Sequence, residues 1–196
     1  MKKSLILKSA IALALAAPLL ASAESQLVIG TGNAAADLNF RVVVPRVLFL
    51  GVGTGAAGLA NNTTEDTVTF DYSTNAAALG TGAPAGSITG NVVPVRVVGN
   101  NGQITLSAST TGALTNGTAD TIPWSEITST TSLAALPSPL IPLTGAGAAS
   151  NVTLSSGTKV TDRSANWTFS YANANVVAPG TYGTTNGRVT YTAAMP

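Results

Sequence analysis

Along most of this chain apolar and polar residues take turns with a period of two, the spacing of a strand with one covered face. Leu38, Phe40, Val42 and Val44 alternate with Asp37, Asn39, Arg41 and Val43, which predicts a half-buried strand over 37–44. Pro45 cannot donate to a ladder and so marks an edge or a bend. Beyond it, Val47-Leu48-Phe49-Leu50 predicts a strand covered on both faces. The β-branched run 92–98, the turn Asn100-Asn101-Gly102 and the alternating 103–109 read as a hairpin, because an Asn-Gly pair supplies the positive φ angles of a tight turn. Further strands are predicted at 67–72, within 121–128 around Pro123, and at 152–154 and 159–161 about Ser155-Ser156-Gly157. Trp167, Phe169 and Tyr171 share one face of 166–172, and Val189, Tyr191 and Ala193 alternate after the turn Asn186-Gly187.

Loops of Gly, Ala, Ser, Thr and Asn separate these runs, the longest at 51–64 and 74–86. Pro137, Pro139 and Pro142 bar helix and central strand from 133–143, and only 129–136 has a helical reading, of a turn or two. With no internal repeat and about eight or nine strands, the pattern predicts an all-β fold, an antiparallel, immunoglobulin-like β-sandwich.

The first residues follow another logic. Lys2, Lys3 and Lys8 precede an apolar run over 10–20, and Ala21-Ser22-Ala23 forms a small-x-small cleavage site. Residues 1–23 are therefore expected to be a signal peptide cut before Glu24, followed by an extension over 24–36 and a sandwich domain over 37–196. The short, Ala-rich signal resembles a Gram-negative Sec signal. It implies export to the periplasm, then to the cell surface or the medium. No later run is long enough to predict a membrane span.

Three of the nine basic residues and none of the eight acidic ones fall in 1–23, leaving a formal charge of −2 on 24–196. Scattered charge of this kind excludes binding to nucleic acid or anionic membranes through a basic patch. The chain has neither Cys nor His. It has no disulfide, no lipid-modified Cys, no zinc site of the usual ligands and no ordinary nucleophile–base pair.

What chemistry remains is sparse. Ser156-Gly157-Thr158-Lys159 copies a Ser-x-x-Lys string, but in a Ser/Gly turn where a helical turn is needed to bring Lys to Ser. Glu65, Asp66, Asp71, Asp120, Glu126 and Asp162 lie among polar loop residues and read as solvated acids. Glu65, Asp66 and Asp71 flank a loop and a strand end and are the candidates for calcium, without the alternating acid spacing of a calcium loop. Trp124 and Tyr182 are candidate ligand-stacking residues, whereas Trp167 is expected in the core. No catalytic, cofactor-binding or metal-binding residue is assigned, no cofactor is expected, and the chain is not expected to be an enzyme.

The turn and final strand Pro179-Gly180-Thr181-Tyr182 and Arg188-Val189-Thr190-Tyr191, with low charge and a Thr/Gly/Ala/Asn bias, resemble the cysteine-free major pilins of the alpha and common-pilus type. That resemblance implies a fimbrial subunit whose N-terminal extension completes a neighbour's sandwich by strand addition, with a periplasmic chaperone and an usher as partners. The donor residues it implies are Leu27, Val28 and Ile29, with Leu38, Phe40, Val42, Val44, Trp167 and Phe169 lining groove and core. Asn166-Trp167-Thr168-Phe169 and Tyr191-Thr192 are similar to WxL-type surface domains. The expected function is an exported structural protein that assembles with identical subunits. The alternative is a monomeric secreted binding module for carbohydrate or another surface ligand, built on Trp124 and Tyr182.

Overall fold

Three strands carry the period of two almost without error, and the fold is organised around them. In β4 (Val92–Gly99), Val93, Val95 and Val97 point inward and are buried. In β5 (Thr105–Thr110), Leu106 and Ala108 do the same, and in β11 (Thr161–Tyr171) the inward set is Thr161, Ala165, Trp167 and Phe169. Of these, Val93, Val95, Val97, Leu106, Ala165, Trp167 and Phe169 share one core cluster with Ile104, Trp124, Leu136, Ile141 and Val152. The computed structural model describes residues 25–196, so the expected signal peptide 1–23 and Glu24 lie outside the described residues.

β1 (Leu48–Val52) and β8 (Ile127–Thr131) complete the first sheet, in the order β1-β4-β11-β8 with every pair antiparallel. In the second sheet β5 lies between β12 (Thr190–Ala194) on one side and the short β9 (Gly145–Ala146) and β10 (Ser150–Asn151) on the other. Two small ribbons join β2 (Thr69–Asp71) to β3 (Ser87–Thr89) and β6 (Leu114–Thr115) to β7 (Thr121–Ile122). The result is the expected antiparallel β-sandwich. It has twelve strands among the described residues because loops pair locally over two or three residues.

Three expectations are corrected. The hairpin expected at Asn100-Asn101-Gly102 is a crossover between sheets, since β4 pairs with β1 and β11 while β5 pairs with β12, β9 and β10. Its turn is real, and Gly102 has φ +121°. The Asn side chains, however, bond outside the turn: Asn100 Nδ2 donates to the Pro45 carbonyl at 2.7 Å and Asn101 Nδ2 to the Pro196 carbonyl at 2.7 Å. Of Val47 to Leu50, expected to be covered on both faces, Val47 precedes the edge strand β1 that holds the other three, and both Val47 and Leu48 are exposed. Residues 37–44 form no strand, and Leu38, Phe40, Val42 and Val44 are between 73% and 86% exposed instead of lining the core. The chain divides into two compact units, and residues 37–44 fall in the one that ends at Val44, ahead of Pro45–Pro196.

Candidate functional site

The acids are committed one by one to local structure. Asp66 accepts the Thr54 hydroxyl at 2.7 Å, Asp162 forms a two-pronged pair with Arg96 at 3.2 Å, and Glu65 pairs with Arg188 at 2.7 Å. Glu126 accepts the Ala174 amide at 3.1 Å, and Asp120 the Thr118 hydroxyl at 3.1 Å. Asp71 accepts the Ser73 amide at 2.8 Å, and bonds from the Ser73 backbone and hydroxyl hold its carboxyl below the usual range. No group of three or more acids is placed to hold a metal ion among the described residues. Ser156 and Lys159 sit in a turn closed by a bridge between Ser156 and Val160, so the Ser-x-x-Lys string has no helix to align it. No helix among the described residues is long and apolar enough to cross a membrane.

Trp124 is buried, and its indole donates to the Gly112 carbonyl at 2.7 Å, which takes the ring out of reach of a stacked ligand. Tyr182 is half-buried and donates to the Ala178 carbonyl at 2.8 Å. The close aromatic pairs among the described residues are Phe70–Tyr171, Tyr72–Tyr171 and Trp167–Tyr191, so neither stacking candidate joins one. Trp167 lies in the core, fully buried, as its alternation implied. Leu27 and Ile29 are about nine-tenths exposed (86% and 93%), Val28 is half-buried, and none of the three lies in a strand.

The least finished part of the sandwich is the free edge of β12. One side of β12 is laddered to β5, and no described strand is laddered to the other. β1 comes close to β12 without pairing to it. The inward residues of β1 and of β12 with its two flanking positions, namely Leu50, Val52, Val189, Tyr191, Ala193 and Met195, pack on the core but stay only half-covered. Their counterparts in β4, β5 and β11 are buried. Apolar side chains left half-wet along one seam are the mark of a face still missing a cover. The opposite outer edge, β8, reads Ile-Thr-Ser-Thr-Thr and is suited to water.

Tyr191 lies at the centre of this seam, its ring 5.0 Å from that of Trp167. Its hydroxyl is buried with no hydrogen-bond partner, and burial pushes its phenol well above the ordinary tyrosine range. Y191F removes the orphaned hydroxyl and is expected to gain about 1 kcal/mol, read as a higher urea midpoint at unchanged slope. A raised native pKa keeps the phenol neutral in the fold while the unfolded chain ionises. Wild-type stability therefore falls as pH rises above about 10, and Y191F is expected to flatten that fall.

Which end of the seam is which follows from hydrogen bonds inside Pro45–Pro196. Leu48 lies opposite Gly99, and Ala194 opposite Thr105, so the start of β1 and the finish of β12 meet at the Asn100–Gly102 turn. Arg46 Nη2 adds a bond to the Met195 carbonyl at 2.9 Å, and the Val47 amide donates to Asn100 Oδ1 at 2.8 Å. The chain thus joins this unit, at Pro45, beside the C-terminal end of β12. Thr190, opposite Ser109, is at the other pole.

These features were not available from strand patterns, because a free edge is a property of which strands pair. Comparison with protein-family models, with curated proteins and with solved structures finds no match to this chain.

Proposed function

We propose that the chain is a structural subunit that is exported and assembles with identical copies by β-strand addition at the free edge of β12. The observation that carries this reading is the unpaired side of β12, beside which Leu50, Val52, Val189, Tyr191, Ala193 and Met195 pack on the core but stay half-covered. An immunoglobulin-like sandwich places strands A, B, E and D in one sheet and C, F and G in the other. The order β1-β4-β11-β8 matches the first set, and β5-β12 matches C and F. The seat of the last strand, beside β12, is the one without an occupant among the described residues. Residues ahead of Pro45 carry exposed apolar side chains able to supply a strand, Leu27, Ile29, Leu38, Phe40, Val42 and Val44 among them. Burial of Trp124 supports this reading over a monomeric binding module built on Trp124 and Tyr182.

The test removes residues 25–44 while keeping 1–24, in the organism that exports the protein. The expected product is a folded monomer that forms no filaments in electron micrographs and no heat-resistant ladder on gels, where the full chain forms both. Filaments from the shortened chain, or a full-length chain that runs only as a sharp monomer, overturn the proposal.

A further inference from the structure

We infer that the donor is residues 38–44 of a second copy, antiparallel to β12, with Leu38 opposite Met195, Phe40 opposite Ala193, Val42 opposite Tyr191 and Val44 opposite Val189. This rests on the strand-addition reading and gives it a segment, a direction and a register.

The segment follows from phase. The seam presents four inward side chains at intervals of two, Val189, Tyr191, Ala193 and Met195. Residues 38–44 offer four apolar side chains at the same interval, all exposed. Leu27 and Ile29 offer two, followed by Gly30 at φ +107°, a backbone that does not continue a strand. Within the antiparallel phase that buries the apolar set, the stated register opposes all four pairs, and a slip of two residues either way leaves one side chain of each strand unmatched. It also sets Phe40 against the small Ala193 and Val42 against the large Tyr191. Asn39 and Arg41 then face water opposite Ala194 and Thr192, which are exposed already. Pro45, with no N–H, ends the added strand one residue after Val44.

Direction follows from the poles. Residue 44 is joined to Pro45, beside the C-terminal end of β12. A segment folding back along its own β12 would run parallel to it, with 44 near 195 and 38 near 189. A parallel donor from another copy would bring the two Pro45 poles face to face, and both copies could then exchange segments in a closed two-fold dimer. Only the antiparallel donor comes from a copy whose Pro45 pole abuts the Thr190 pole of the acceptor. That contact is head-to-tail and leaves one free seam and one free segment, so it repeats into a filament. Antiparallel pairing is also the more stable ladder per residue.

The chain has no Cys, so an introduced pair supplies the only thiols. In N39C/A194C the two positions lie directly opposite, at about 5 Å between Cβ atoms. In N39C/T190C they lie about 14 Å apart along the strand in the antiparallel register and face each other only in the parallel one. Mild oxidation, or a short bismaleimide, is expected to turn N39C/A194C filaments into a covalent ladder that survives boiling in detergent, while N39C/T190C stays monomeric on the gel. Linked N39C/T190C, as monomer or dimer, overturns the direction. Filaments in which neither pair links overturn the register. A second comparison tests the segment: L38S/F40S/V42S/V44S is expected to abolish filaments and L27S/V28S/I29S to keep them, and the reverse overturns it. Each of these failures leaves strand addition standing. Filaments from the chain lacking 25–44 overturn strand addition itself.

Discussion

Trp167→Ala is expected to cost about 3–5 kcal/mol, a large share of the stability of a single domain. Trp167 is fully buried at the middle of β11, the strand laddered to β4 on one side and β8 on the other. Its ring packs against Tyr191 across the sandwich, so truncation opens a cavity that neither sheet can close by a simple shift. The indole N–H donates to the Leu136 carbonyl at 3.4 Å, but that carbonyl also accepts the Thr131 hydroxyl at 2.9 Å. Loss of the N–H alone therefore leaves no orphaned acceptor, and W167F is expected to cost only about 1–2 kcal/mol by volume. Urea unfolding checks both: the midpoint drops in that order while the slope holds. Equal losses for the two variants would mean that the hydrogen bond, not the filled volume, is what Trp167 contributes.

The same residue shows what could be read without coordinates. Alternation of Trp167, Phe169 and Tyr171 on one face, and of Val93, Val95 and Val97 on another strand, reports burial directly because the strand period is two. Pairing is not local in this way. Asn100-Asn101-Gly102 reads as a hairpin since the turn chemistry is identical whether the flanking strands pair with each other or part into two sheets. Residues 37–44 read as a core strand for a related reason: alternation says which side chains suit a covered face, not whose face covers them. Trp124 looked available because a proline precedes it, yet a short 3-10 turn at Trp124–Glu126 tips its ring inward. The seam beside β12 left no trace in the pattern at all, since an edge is defined by the strand that is not there.

Asn173→Ala is expected to cost about 3 kcal/mol through a site no pattern marked. Asn173 is fully buried just after β11, in the left-handed region at φ +50°. Its Oδ1 accepts the Gly80 amide at 2.8 Å, and its Nδ2 donates to the carbonyls of Ala78 at 2.6 Å and Ala83 at 3.0 Å, clamping the loop that precedes β3. Both carbonyls keep a second donor, Thr81 for Ala78 and Tyr72 for Ala83, so alanine orphans the Gly80 N–H alone. To that it adds the strain of a Cβ residue without a side-chain amide to hold the left-handed turn. Asn173→Gly removes the strain and keeps the orphan, so it is expected to fall between wild type and Asn173→Ala. Asn173→Asp separates donor from acceptor. It still accepts from Gly80, but at neutral pH a buried carboxylate faces two carbonyls and burial raises its pKa. Its native pKa then lies above the unfolded value, so stability is fullest below about pH 4 and is lost as pH rises through the native pKa. Urea midpoints measured from pH 4 to pH 8 should fall steeply for Asn173→Asp and stay level for Asn173→Ala. A level profile for both would show that the amide donors do not hold the loop.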